Sequence, residues 1–68
     1  MKIRLNGEES DAPEGVTVAV LVERTVADPR ARGIAVALDD EVTSRSAWSS
    51  TVVTAGQRVE ILQASQGG

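Results

Sequence analysis

The stretch "EGVTVAVLVERTVADP", residues 14–29, decides the fold, because here the hydrophobic period changes. Before it, "MKIRLNG" (residues 1–7) sets Met1, Ile3 and Leu5 against Lys2, Arg4 and Asn6, a period of two that marks a strand with one buried face. Within residues 14–29, Val18, Leu21, Val22 and Val26 fall instead at the spacing of one helical face, with Thr17 placed to cap the first turn. The valines resist a helix, since β-branching costs χ1 freedom there. Glu23 and Arg24 among them, and Pro29 beyond, favour one that stops near Ala27. A helix at this point, with strands before and after it, implies a helix laid across a sheet.

Outward from the helix, the remaining segments read as strands and turns. Asn6-Gly7 is a strong hairpin signal, because both residues tolerate positive φ, and residues 8–12 form the return strand that Pro13 ends. "GIAVALDDEV" (residues 33–42) places Ile34, Val36 and Leu38 on one side of a strand and Ala35 and Ala37 on the other, before a turn at Asp39-Asp40. "TSRSAWSS" (residues 43–50) is irregular, with room for one helical turn, and Trp48 packs beneath it. "TVV" (residues 51–53) reads as a short edge strand, "TAGQ" as a turn, and "RVEILQ" (residues 58–63) as the last strand.

The order is hairpin, helix, strand, short excursion, final strand. It predicts an α+β fold: a mixed sheet of four to five strands with one main helix packed on one face. The N-terminal and C-terminal strands would lie side by side in the middle, which is the β-grasp, or ubiquitin-like, arrangement. The globule occupies residues 1–63, and residues 64–68 form a flexible tail ending in Gly67-Gly68.

Composition narrows the function. The chain has 68 residues, 41% of them hydrophobic and 25% charged, as in ordinary soluble domains. It has no cysteine, so neither a disulfide nor a thiolate metal site supports the fold. With no His, Cys or Tyr it lacks the usual groups for proton shuttling near neutral pH and for thiol nucleophilicity. Asp39, Asp40 and Glu41 cluster between apolar runs, where a solvated turn explains them better than a metal site that has no second set of ligands. No catalytic residue and no metal ligand is therefore expected. The net charge of −3 argues against nucleic acid as partner. "VTVAVLV" (residues 16–22) is too short to span a bilayer and follows an acidic segment, unlike a signal peptide. A cytoplasmic location without membrane contact is the expectation.

What remains is the end of the chain and a face of the sheet. Glycine makes up about 7% of residues, so two would close a chain by chance in roughly 0.5% of cases. A terminal glycine leaves its acyl carbon open to close approach, and Ser65 and Gln66 before it make no demand for burial. Extended, residues 64–68 reach roughly 17 Å, enough to enter a partner's cleft. If Val59 and Ile61 face the helix, then Arg58, Glu60 and Leu62 face away together with Ala35, Ala37 and Arg4. Leu62 between two alanines, ringed by charge, would be a flat apolar patch for partner docking.

"RGIAVALDDEVTSRSAW", residues 32–48, together with the closing Gly-Gly, resembles the bacterial ThiS-type sulfur carrier family of thiamine biosynthesis. That family pairs an "AVA" strand and an acidic or Asn-containing turn with a V-x-P-R-x-x-W-like stretch. Ser44 stands where a proline is common there, and Asp39 often corresponds to Asn; both are loop positions. The resemblance implies a carrier protein rather than an enzyme. It implies that the carboxylate of Gly68 is adenylated with ATP by an E1-like enzyme of ThiF type and converted to a thiocarboxylate. The sulfur would come indirectly from a cysteine desulfurase, and a thiazole synthase of ThiG type would accept it. No permanently bound cofactor is implied. Two alternatives share the terminus. The small subunit of molybdopterin synthase is usually longer and approaches its tail through aromatic and proline residues, whereas this chain has no Phe or Tyr and no proline after Pro29. A ubiquitin-like modifier would be joined through Gly68 to lysines of other proteins.

Overall fold

The computed structural model describes residues 1–64. It contains β1 (Lys2–Leu5), β2 (Glu8–Asp11), α1 (Val18–Thr25), β3 (Ile34–Leu38), β4 (Glu41–Thr43), a 3-10 helix (Arg45–Ser50) and β5 (Arg58–Gln63). The strands form one five-stranded mixed sheet in the order β2-β1-β5-β3-β4. β1 and β5 run parallel at its centre, and every other pairing is antiparallel. This is the β-grasp arrangement that the order of elements predicts.

The first hairpin turns on Asn6 and Gly7 at φ 51° and 84°, the left-handed conformations that a two-residue turn needs to match strand twist. Thr17 caps α1, its Oγ1 accepting from the Val20 N–H at 3.3 Å. The helix ends at Thr25, two residues before Ala27, where the Val26 N–H still bonds the Val22 carbonyl at 3.0 Å but the backbone has already turned extended. An eight-residue helix rich in valine is not stable by propensity. It forms because Val18, Leu21 and Val22 are buried against the sheet. The core they join contains Ile3, Val36, Leu38, Trp48, Val53, Val59 and Ile61. Trp48 lies beneath the excursion, as expected. Its indole N–H donates to the Thr43 carbonyl at 3.0 Å, and the Arg45 guanidinium lies 4.6 Å from the ring centroid.

The fifth strand is not the one the sequence suggests. Residues 51–53 make a single antiparallel bridge between Val52 and Thr17, and bonds from Val18 to Thr51 and from Val53 to Val16 fasten the start of the helix. Val53 is buried there, away from the sheet edge. The sheet is completed instead by β4, because Asp39 and Asp40 turn at φ 48° and 72° and return the chain directly onto β3.

Ser44 has φ −66°, the value a proline ring imposes, and its N–H makes no backbone hydrogen bond in the turns and loops. Ser44→Pro therefore restricts the unfolded chain without straining the folded one. It is expected to stabilise the domain by about 0.4–1 kcal/mol, measured as a shift in the urea midpoint at unchanged slope.

Candidate functional site

Two features are brought together by the sheet: its outer face, and the point where β5 leaves the globule. The register places Ala35 opposite Leu62 and Ala37 opposite Glu60, while Arg4 lies beside Arg58. Alternation then puts Arg4, Ala35, Ala37, Arg58, Glu60 and Leu62 on the face away from α1. Leu62 is 64% exposed. Ala35, Arg4 and Arg58 are exposed and Ala37 is half-buried, so the expected docking residues do share one surface.

The structure adds a residue that the sequence reading missed. Val42 pairs with Ala37 across the β3–β4 ladder and is 79% exposed, the most exposed large apolar side chain described. It extends the apolar area across β5, β3 and β4. The signal was present: once the turn is taken as the two residues Asp39-Asp40, Leu38 must pair with Glu41 and Ala37 with Val42.

The same face is divided by charge. On the β2–β1 side Lys2 pairs with Asp11 at 2.7 Å, and Arg4 lies opposite Glu9. A hydrogen bond from Lys2, and then its positive charge, hold the Asp11 carboxyl below its ordinary value. Stability from that pair is thus complete above the ordinary carboxylate range and is lost as pH falls through the lowered value. Both side chains are largely exposed, so the contribution is small and screened by salt. A depression lined by Arg4, Gly7, Asp40, Arg58, Val59 and Glu60 marks the boundary between the two halves.

Arg58 is less available than the sequence suggests, because its own turn occupies it. Its guanidinium donates to Asp40 Oδ2 at 2.6 Å, which raises its pKa further, and its backbone N–H donates to Asp39 Oδ1 at 3.0 Å. The acidic turn is therefore a solvated clamp on the start of β5. Among the described residues no group of three or more His, Cys, Asp or Glu side chains could hold a metal ion.

At the other end of β5, the Ala64 N–H donates to the Gly33 carbonyl at 2.8 Å, so bonding to the globule runs one residue past Gln63. Gly33 belongs to the loop after α1, and Arg45 holds that loop. Its Nη1 donates to the Pro29 carbonyl at 3.0 Å and its Nη2 to the Ala31 carbonyl at 2.6 Å. Arg45 went unremarked in the sequence as a single residue, because both of its acceptors are backbone carbonyls with no side-chain signature. Ser65, Gln66, Gly67 and Gly68 lie outside the described residues.

With this geometry in place, the profile of the ThiS family matches residues 3–68. The chain belongs to the ThiS family. Its fold is similar to the crystal structure of a thiamine biosynthesis protein (ThiS) from Geobacter metallireducens, at 34% identity and a TM-score of 0.80, with both chains covered completely. It is also similar to the solution structure of a thiamine biosynthesis protein from the same organism, at 35% identity and a TM-score of 0.78 over all of this chain and 88% of the other. Comparison with the curated proteins gives no match. Family membership supports a sulfur-carrier role. No helix among the described residues is long and apolar enough to cross a membrane.

Because Leu62 and Val42 are already solvated, Leu62→Thr and Val42→Thr keep strand propensity and remove only surface. Each is expected to change unfolding free energy by less than about 0.5 kcal/mol, measured by urea denaturation.

Proposed function

We propose that the protein carries sulfur on its own C-terminal carboxylate for the formation of the thiazole ring of thiamine. The observation that carries this reading is the match of the ThiS family through residue 68, on a globule whose central strand, β5, is also the last described element. The thiamine biosynthesis function of the two Geobacter structures supports the choice of pathway.

The chemistry follows from the state of the carboxylate. With a reference pKa of about 3.3–3.7 it is an anion at neutral pH and a poor electrophile. Activation by an E1-like enzyme of ThiF type solves this. A carboxylate oxygen of Gly68 attacks the α-phosphorus of ATP, a P–O bond to pyrophosphate breaks, and an acyl-adenylate forms. A sulfide-level nucleophile then attacks the acyl carbon and AMP leaves with the C–O electron pair. The product is a thiocarboxylate. If the nucleophile is a persulfide, drawn through a cysteine desulfurase, the first product is an acyl disulfide. A thiol must then cleave its S–S bond, forming a protein disulfide and releasing the thiocarboxylate. Thiazole synthase of ThiG type takes the sulfur from there.

The globule's part is to be recognised. A tail of this composition gives up roughly 1–2 kcal/mol of backbone entropy per residue when ordered, so docking of the folded face must supply most of the binding energy. Leu62, Val42, Ala35 and Ala37 form the apolar centre of that face, with Arg4 and Arg58 at its rim.

Incubating the full chain with ATP and the adenylating enzyme of its host tests the reading. Pyrophosphate release is expected, and, with the sulfur donor present, an intact-mass gain equal to one oxygen replaced by sulfur. Removing Gly68 should abolish both while leaving the urea midpoint unchanged. A chain lacking Gly68 that is still adenylated would refute the mechanism, and adducts on lysines of other proteins would favour a modifier instead. Replacing Leu62 and Val42 together by Glu is expected to raise KM for the chain by more than about tenfold with little change in kcat, as loss of uniform binding does.

A further inference from the structure

We infer that Asn6 is a positioning residue for the charged tail, acting as a surrogate strand that splints β5 at Ile61; this rests on the carrier reading above. β1 pairs with β5 only at Arg4↔Arg58 and Leu5↔Val59. The Asn6 N–H then donates to the Val59 carbonyl at 2.8 Å, and the chain turns away at Asn6-Gly7. From there β1 has no backbone to offer Ile61.

The Asn6 side chain supplies both missing partners. Its Oδ1 accepts from the Ile61 N–H at 2.8 Å and its Nδ2 donates to the Ile61 carbonyl at 3.3 Å. A primary amide presents the same donor and acceptor pair as a peptide unit, so it can extend a ladder by one step. Asn is also among the few residues that tolerate φ near +51°, the value this turn requires. One residue therefore closes the hairpin and carries the central ladder onward.

The consequence falls on the tail. With the splint, β5 is bonded on both edges as far as Ile61, and on the β3 edge through Ala64. Without it, the strand past Val59 is held from one edge only. Ala64 lies three residues past Ile61 and is bonded on the β3 side, at Gly33, so without the splint the point where the chain leaves β5 can hinge about that one edge. Reacting groups must meet within a narrow tolerance. The loss should therefore appear in the chemical step more than in docking, because Leu62 keeps its pairing with Ala35 and Val42 its pairing with Ala37.

Asn6→Gly tests this cleanly, since glycine accepts the positive φ and only the amide is lost. Asn6→Asp keeps the acceptor for the Ile61 N–H but sets a second oxygen against the Ile61 carbonyl, and Asp-Gly still favours the turn. Thr17→Ala, a helix-cap change on the other side of the molecule, controls for lost stability. In Asn6→Gly the Ile61 amide is expected to exchange at least about tenfold faster relative to Val36. The kcat for adenylation should fall on the order of tenfold with KM for the chain little changed. Asn6→Asp should fall between Asn6→Gly and the native chain, and Thr17→Ala should keep its kcat. Unchanged Ile61 exchange, unchanged kcat, or an equal fall in Thr17→Ala would each overturn the proposal while leaving the carrier reading intact. Normal adenylation of the chain lacking Gly68 would instead remove the carrier reading, and this inference with it.

Discussion

Everything in this molecule depends on β5 being the middle strand. Val59 and Ile61 enter the core from it, while Leu62, two residues before Ala64, faces outward. β1 and β3 flank it in opposite directions, and the Asp39-Asp40 turn clamps its start through Arg58. The period of two links the inner and outer faces rigidly. A slip of one residue would expose Val59 and Ile61 and bury Arg58 and Glu60, so the packing against α1 also fixes what the outer face displays. The chain end thus departs from the best-held element of the domain.

Much of this could be read from residues alone, and the parts that could were local. The Asn6-Gly7 turn, the Thr17 cap and the two faces of β3 and β5 each follow from neighbours a few positions apart. What escaped notice spans the sequence. Asn6 and Ile61 are 55 positions apart, and nothing near Asn6 distinguishes a turn asparagine from one that also bridges to another strand. Arg45 is hidden for a similar reason, since it grips carbonyls of Pro29 and Ala31. The exchange of β4 for residues 51–53 as fifth strand shows a different limit. Both segments carry β-branched residues, and only the positive φ at Asp39 and Asp40 decides that the chain doubles back at once.

The charged groups play a secondary part. Lys2–Asp11 and Arg58–Asp40 lie at the surface, where ion pairs add little to stability. Their placement matters more. Opposite charges alternate over β2, β1 and the start of β5, leaving the outer face of the end of β5, β3 and β4 free of basic groups and bordered by Glu60. The face thus has a defined polar side and a defined apolar side, an asymmetry that would fix the register of the proposed docking more than add affinity.

The alanines of β3 make the same point from the opposite direction. Ala is depleted in strands, and the inner face of this strand carries Ile34, Val36 and Leu38, as packing requires. On the outer face, Ala35 and Ala37 give up that propensity opposite Leu62 and between Val42 and Glu60. Larger side chains at these two positions would stabilise an isolated strand, yet they would raise a ridge beside Leu62. Small ones keep the surface low, so that Leu62 and Val42 stand out as its two prominent contacts. Under the proposed carrier role, a surface with two prominent contacts would suit partners that bind in turn and release. Tight binding to one of them would then keep the sulfur where it was loaded.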